Sequence, residues 1–301
     1  MDINAVFPDW GAPVDDPASY DFVNTDVLIA NMINAGTKPF YRLGQSIEHG
    51  TKKYGIYPPK DYKKWARICE HIIRHYNEGW ADGFHYDIEY WEIWNEPDLD
   101  VKEDRQFTDP RTWAGTLEQF NELYVTAACH LRSCFPDIKI GGPAYASPLR
   151  PMGDFLDCVK KHGAPLDFFS WHRYDSIPEH YADRAAKVRE QLDVKGFTET
   201  ESILNEWNYV HSWRLSVLRS RLTYQIPEYM SALLPTGKKS ECCLPITTMT
   251  GTCAFREKSQ CRFPGQLADV RAGLQTAPGL MLRSPWPSGE ARSVSLFRHI
   301  R

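Results

Sequence analysis

Tyr90-Trp91-Glu92-Ile93-Trp94-Asn95-Glu96-Pro97 is the stretch on which the reading of this chain turns. It is a short, apolar, aromatic run of strand type that ends on Asn-Glu and is stopped by proline. A second run of the same design, Ser202-Ile203-Leu204-Asn205-Glu206-Trp207-Asn208-Tyr209, places Glu206 110 residues after Glu96. Barrel enzymes keep their chemistry at the C-terminal ends of parallel strands, so each run predicts one carboxylate at the same edge of a sheet.

The segments around these runs alternate in the βα manner. A helix is expected from about Thr25 to Ala35, stopping at Gly36, and then a strand at Lys38 to Gly44 whose exit loop could supply Arg42 and Glu48 to a cleft. After Pro58-Pro59, the residues Tyr62, Trp65, Ala66, Cys69, Ile72, Ile73 and Tyr76 share one helical face. Beyond Glu96 the pattern predicts a long helix over Trp113 to Cys134, a strand from Asp137 to Pro143, and a short helix from Phe155 to His162. A strand from Leu166 to Trp171 then leads into His172, and a helix runs over Tyr181 to Val194. The implied fold class is α/β, a (β/α)8 TIM barrel that is incomplete. Counting back from Glu206 as the end of strand 7, strands 3 to 7 are present, Asp2 to Trp10 is the end of strand 2 or its loop, and strands 1, 2 and 8 are not clearly present.

Two carboxylates in such positions point to cleavage of a glycosidic bond. That reaction needs one acid to protonate the leaving oxygen and one carboxylate to attack or stabilise the oxocarbenium-like sugar. Both Glu96 and Glu206 sit among aromatic residues, and Trp207 beside Glu206 offers a ring on which a sugar can stack. Desolvation of this kind is expected to raise an acid's pKa towards the working pH.

The motifs Trp94-Asn95-Glu96-Pro97, Ser170-Trp171-His172-Arg173-Tyr174 and Asn205-Glu206-Trp207-Asn208 together resemble glycoside hydrolase family 39, the family of β-xylosidases and α-L-iduronidases. The resemblance spans roughly residues 1 to 210. It implies that Glu96 is the general acid/base, that Glu206 is the nucleophile, and that Asn95 holds the sugar's 2-hydroxyl. It further implies that His172 and Tyr174 line the sugar site, with Tyr174 hydrogen-bonding the nucleophile. The mechanism implied is retention, through a covalent glycosyl-enzyme.

At 301 residues, 42% hydrophobic and 13% aromatic, the chain can bury a substantial core. The first ten residues have neither a basic region nor a long apolar stretch, and no run reaches the length of a membrane span, so a cytoplasmic protein is expected. Residues 1–210 carry 22 Lys+Arg against 34 Asp+Glu, net −12, whereas 211–301 carry 13 against 5, net +8. After about His211 the strand-helix alternation gives way to irregular Ser, Arg, Pro and Cys. The expected organisation is therefore a glycosidase-like barrel portion, 1–210, and an aperiodic basic tail, 211–301, in a truncated or frame-shifted family member. A truncated relative that is non-catalytic, binding sugar or folding poorly, is the alternative.

Basic residues in the tail are scattered and not interleaved with stacking aromatics, which argues against nucleic acid as a partner. The eight cysteines lack zinc-site spacing, so neither metal nor cofactor is expected. Cys69 and Cys129 read as small core residues on helical faces. His-Glu-x-x-His, phosphate-binding glycine loops and Gly-x-Ser-x-Gly are all absent from the sequence, which removes the commonest competing chemistries. The expected partner is a carbohydrate substrate, and the sequence is silent on which sugar and on oligomeric state.

Overall fold

A computed structural model describes residues 2–101, 107–210, 241–243 and 254–256. Five parallel strands form its centre: β1 Phe40–Leu43, β2 Tyr90–Ile93, β3 Lys139–Tyr145, β4 Phe168–Asp175 and β5 Glu201–Tyr209. They lie side by side in chain order, the arrangement of successive βα units in a barrel wall. Asp2 makes a parallel bridge to Gly44 beyond the end of β1, and helix α1, Ile3–Val6, follows at once. Two three-residue strands, β6 Glu241–Cys243 and β7 Ala254–Arg256, pair antiparallel with each other, and β7 pairs with β5 through Ser202 and Phe255. The rest of the basic tail lies outside the described residues. The described residues thus form an α/β half-barrel.

Helices cover the sheet, and their ends are set by local chemistry. α2 is Val23–Asn34, and α3 is Tyr62–Glu78, whose first turn is capped by the Asp61 carboxylate accepting from Lys64 N at 3.0 Å. α3 stops at Gly79 in the left-handed region, where a Cβ would meet the His85 ring at 2.6 Å, so only glycine fits. α4 begins at Leu117 and not at Trp113, because Thr116 and Gln119 form a reciprocal capping box and the Trp113 indole N–H is spent on Thr116 O. It ends at Cys134. α5, Met152–His162, starts three residues ahead of its apolar Phe155, directly after Pro151. α6 is Glu179–Lys195. No helix of the described residues is long and apolar enough to cross a membrane.

The core lies between sheet and helices. Trp65, Ile72 and Tyr76 of α3, Phe120 and Tyr124 of α4 and Phe155 of α5 are buried against Trp91, Ile140 and Phe169 of the strands. Cys69 belongs to this core. Cys129 does not: its position on α4 is exposed, because the buried stripe of that helix passes through Ala127, Ala128 and Leu131. At Gly141 an added Cβ would meet Phe168 O at 2.1 Å, so the close approach of β3 to β4 needs glycine.

The sheet carries two register shifts near its C-terminal edge. Between β3 and β4 the pairing steps from Gly142–Phe169 to Tyr145–Trp171, and the Ser170 hydroxyl fills the gap by accepting from Ala144 N at 2.9 Å. Between β4 and β5 it steps from Trp171–Leu204 to His172–Glu206, leaving Asn205 as an extra residue. Such a bulge re-aims the side chains next to it.

Candidate active site

Both Asn-Glu runs end at the same edge of the sheet. β2 turns sharply there: Trp94 and Glu96 have φ of 72° and 47°, conformations that side-chain-bearing residues seldom adopt. Left-handed backbone of this kind costs about 1–3 kcal/mol per residue and persists only where the surroundings hold it. Here they do. Glu96 N donates to Ala144 O at 3.1 Å, and Glu96 O accepts from Leu99 N at 3.0 Å and from the Thr112 hydroxyl at 2.6 Å.

Asp98, two residues on, ties the same turn to the loop after β3, its two oxygens accepting from Ala146 N at 2.9 Å and Ser147 N at 2.7 Å. Burial pushes the Asp98 carboxyl up to about 7, against the pull of those two amides and with the push of Glu96. An acid whose folded pKa is raised contributes stability that is full below its unfolded value and lost as pH rises through the folded one. We expect the melting temperature to fall from pH 5 to pH 8 by a component that is missing in Asp98→Asn, measured by calorimetry in matched buffers.

The Glu96 carboxylate meets His172 from β4. His172 Nδ1 lies 2.8 Å from Glu96 Oε1 and 3.6 Å from Glu206 Oε2. On the other side of the ring, Nε2 is 3.3 Å from Arg42 Nη2. Carboxylates only accept, so Nδ1 carries the hydrogen towards the two glutamates.

Glu206 is reached through the bulge at Asn205. One of its oxygens accepts from the Tyr174 hydroxyl, and the other is 3.7 Å from Arg42 Nη1. Burial pushes the Glu206 carboxyl up, but His172, the Tyr174 phenol and the Arg42 guanidinium outweigh it and hold it below the usual range. The upward shift expected from aromatic surroundings is thus reversed at Glu206, because these three groups together outweigh desolvation. Tyr174 itself is raised, first by burial and then by the adjacent Glu206 charge. The side chain of Glu206 is 26% exposed and that of Glu96 10%, so both carboxylates border accessible space. An oxygen of Glu96, a ring nitrogen of His172 and an oxygen of Glu206 all lie within 4.8 Å of one another.

Beneath this pair sits a second layer that sequence reasoning missed. Glu92 is fully buried in β2, where it accepts from Arg42 Nε on the neighbouring strand and from Asn205 Nδ2 at 2.6 Å. Arg42 is therefore a strand residue in register with Glu92 and not a loop residue. The available signal was a single charge inside the apolar run Tyr90 to Trp94, since a buried carboxylate requires a partner.

Of the other residues named from sequence, Asn95 is buried beside Glu96 with Oδ1 unpartnered. Trp207 is not brought to the cleft: strand alternation turns it to the opposite face from Glu206, edge-on to Tyr181 of α6 at 6.4 Å. Glu48 holds its own loop, accepting from Tyr54 N at 2.6 Å and Gly55 N at 2.7 Å.

Glu96, His172 and Glu206 have metal-ligand atoms, but the Arg42 guanidinium already occupies the neighbourhood as a fixed cation. Glu70, His130 and Cys134 form another such group on α3 and α4, with Arg74 on Glu70 at 2.8 Å.

Comparison with known proteins adds a lineage to this geometry. The model of the glycosyl hydrolases family 39 matches residues 5–205. A beta-xylosidase from Caldicellulosiruptor saccharolyticus is 32% identical over 166 residues, 52% of this chain and 31% of that protein. A solved glucosidase from Croceicoccus marinus superposes with a TM-score of 0.61 at 35% identity, over 69% of this chain and 41% of that one. A family 39 beta-xylosidase from Caulobacter crescentus gives 0.55 at 23% identity, over 77% and 50%, a likeness of fold. The chain thus spans about a third of the curated relative and less than half of the glucosidase.

Proposed function

This chain belongs to glycosyl hydrolases family 39, and on that premise we propose that it hydrolyses O-glycosides, β-xylosides first among them, with retention of anomeric configuration. Glu206 is the nucleophile and Glu96 the general acid/base. The observation that carries the reading is the approach of the two carboxylates, an oxygen of each within 4.8 Å of the other. Retaining enzymes hold their carboxyl groups about 5–5.5 Å apart, whereas inverting ones need about 6.5–9.5 Å to admit a water.

The environments of the two acids fit the division of labour. Glu206 is held ionised, as a nucleophile must be, and its ligands Tyr174 and Arg42 fix it in place. In the first step its oxygen attacks the anomeric carbon while Glu96 gives its proton to the leaving oxygen. In the second, Glu96 takes a proton from water, which displaces Glu206. His172 Nδ1–H, directed at both carboxylates, is placed to orient each in turn. The unpartnered Asn95 Oδ1 is the acceptor offered to a sugar hydroxyl. The choice of xylosides rests on the activities named for the relatives.

The test is to follow hydrolysis of an aryl β-xyloside by proton NMR. The β-anomer of xylose should appear first and mutarotate later; first appearance of the α-anomer would overturn the mechanism, and no release by a folded chain would overturn the activity. Tyr174→Phe supplies a further prediction. Losing one donor to a carboxylate, worth about 1.5 kcal/mol, should lower kcat/KM about tenfold. Because Glu206 works ionised, activity is lost as pH falls through its folded pKa, so removing a group that lowers that pKa moves the acid limb to higher pH. A pH profile of kcat/KM for the two chains checks both effects.

A further inference from the structure

Behind the turn that carries Glu96 lies a cavity of about 340 Å³, lined among others by Trp10, Tyr54, Tyr57, Trp65 and Trp94. It is separate from the carboxylate cleft. The Trp94 ring packs with Trp65 of α3 and Trp113, and its indole N–H is bound by Thr112 O, so this side chain points to the helix layer while the Glu96 carboxylate faces His172.

Three features give the cavity a chemistry. First, it is aromatic, and two of its rings stand at the solvent edge, Tyr54 71% and Tyr57 53% exposed, the Tyr54 ring with Lys52 Nζ 4.9 Å from its centroid. Second, Trp65 lines the cavity and its fully buried indole N–H has no hydrogen-bond partner, so its resonance is a sensitive reporter of what the cavity holds. Third, the walls are braced, and two of the three charged side chains that line the cavity, Lys64 and Asp61, are engaged with the protein. Trp10 Nε1 donates to Asn4 Oδ1 at 2.7 Å, and Asn4 in turn donates to Gln45 at 3.2 Å. Lys64 Nζ donates to Trp10 O at 2.6 Å and Ala12 O at 2.9 Å, while the Asp61 carboxylate caps α3.

A half-open site with ring faces, in which Lys64 and Asp61 are committed to the protein, fits a neutral guest that is flat and apolar on its faces and hydroxylated at its edges. We propose that this cavity is a second carbohydrate site, binding a pyranose unit of a neutral β-linked oligosaccharide on the rim of the barrel, apart from the catalytic cleft. The choice of sugar rests on the glycosidase reading; the site itself rests on the cavity.

The experiment titrates xylotriose into the intact Glu206→Gln chain and follows tryptophan indole N–H resonances, with those of Trp10 and Trp65 assigned from Trp10→Phe and Trp65→Phe. The Trp65 resonance should shift and saturate. Tyr54→Ala/Tyr57→Ala, a change confined to exposed side chains, should weaken that binding about tenfold, as loss of two aromatic anchors does. The same double substitution on an otherwise unaltered chain should leave hydrolysis of a small aryl xyloside unchanged. A Trp65 resonance that stays still in a folded chain, or a shift indifferent to the double substitution, overturns the proposal. The two readings fail separately: a chain that hydrolyses xylosides with a silent Trp65 keeps the activity and loses this site, and one that shifts Trp65 without hydrolysis does the reverse.

Discussion

Glu206→Gln should lower turnover of an aryl β-xyloside by about 10⁴- to 10⁶-fold, the scale on which enzymes lose rate when their nucleophile is removed. The amide is nearly isosteric and can still meet Tyr174 and Arg42, so the fold and the binding of the glycoside should survive. Glutamine cannot form the glycosyl ester, and no neighbouring group can replace it: Glu96 is turned towards His172. The measurement is a single-turnover assay with binding followed separately. Turnover by the variant above the level of a mock preparation would remove Glu206 from its role. A complementary check is mass spectrometry of the unaltered chain after a 2-deoxy-2-fluoro xyloside, which should add one sugar to the peptide containing Glu206.

Glu96→Ala should give a loss that depends on the leaving group. With a poor leaving group the missing proton is needed in the first step, and the rate should fall about 10²- to 10⁴-fold. A dinitrophenolate departs without help, so the covalent intermediate should form at nearly the normal rate and then accumulate, because no base activates water. Added azide needs no base and should restore turnover, giving a β-glycosyl azide. Equal losses for both classes of substrate, with no effect of azide, would assign Glu96 a structural part only. The position is sensitive for a second reason: alanine at φ of 47° is no better accommodated than glutamate, so the melting temperature of the variant is measured alongside.

The elements carrying both glutamates were legible because their signals are local. An apolar run closed by Asn-Glu-Pro marks a strand end, and helix α3 followed from the spacing of its apolar residues. The misreadings share a cause, which is that sequence spacing does not reveal which face of an element is used. Trp207 follows a glutamate of the cleft, yet it packs on Tyr181 because neighbours in a strand point to opposite faces. Cys129 fits an apolar pattern but falls just off the buried stripe of α4. The partnership of Glu92 with Arg42 spans 50 residues and depends on the register of two parallel strands, a relation that no window of sequence contains. The depressed pKa of Glu206 is likewise a sum over groups on two other strands, Arg42 of β1 and His172 and Tyr174 of β4.

The extra residue in β5 has a consequence for anyone who would move this chemistry. Because Asn205 is left over in the pairing with β4, two consecutive side chains serve the interior, Asn205 on Glu92 and Glu206 on Tyr174. Transplanting the motif onto a regular strand would copy every letter and still present only one of the two, the other being turned towards the helices. What must travel is an odd count of backbone units between neighbouring strands, so a one-residue deletion near position 205 should be more damaging than most substitutions there.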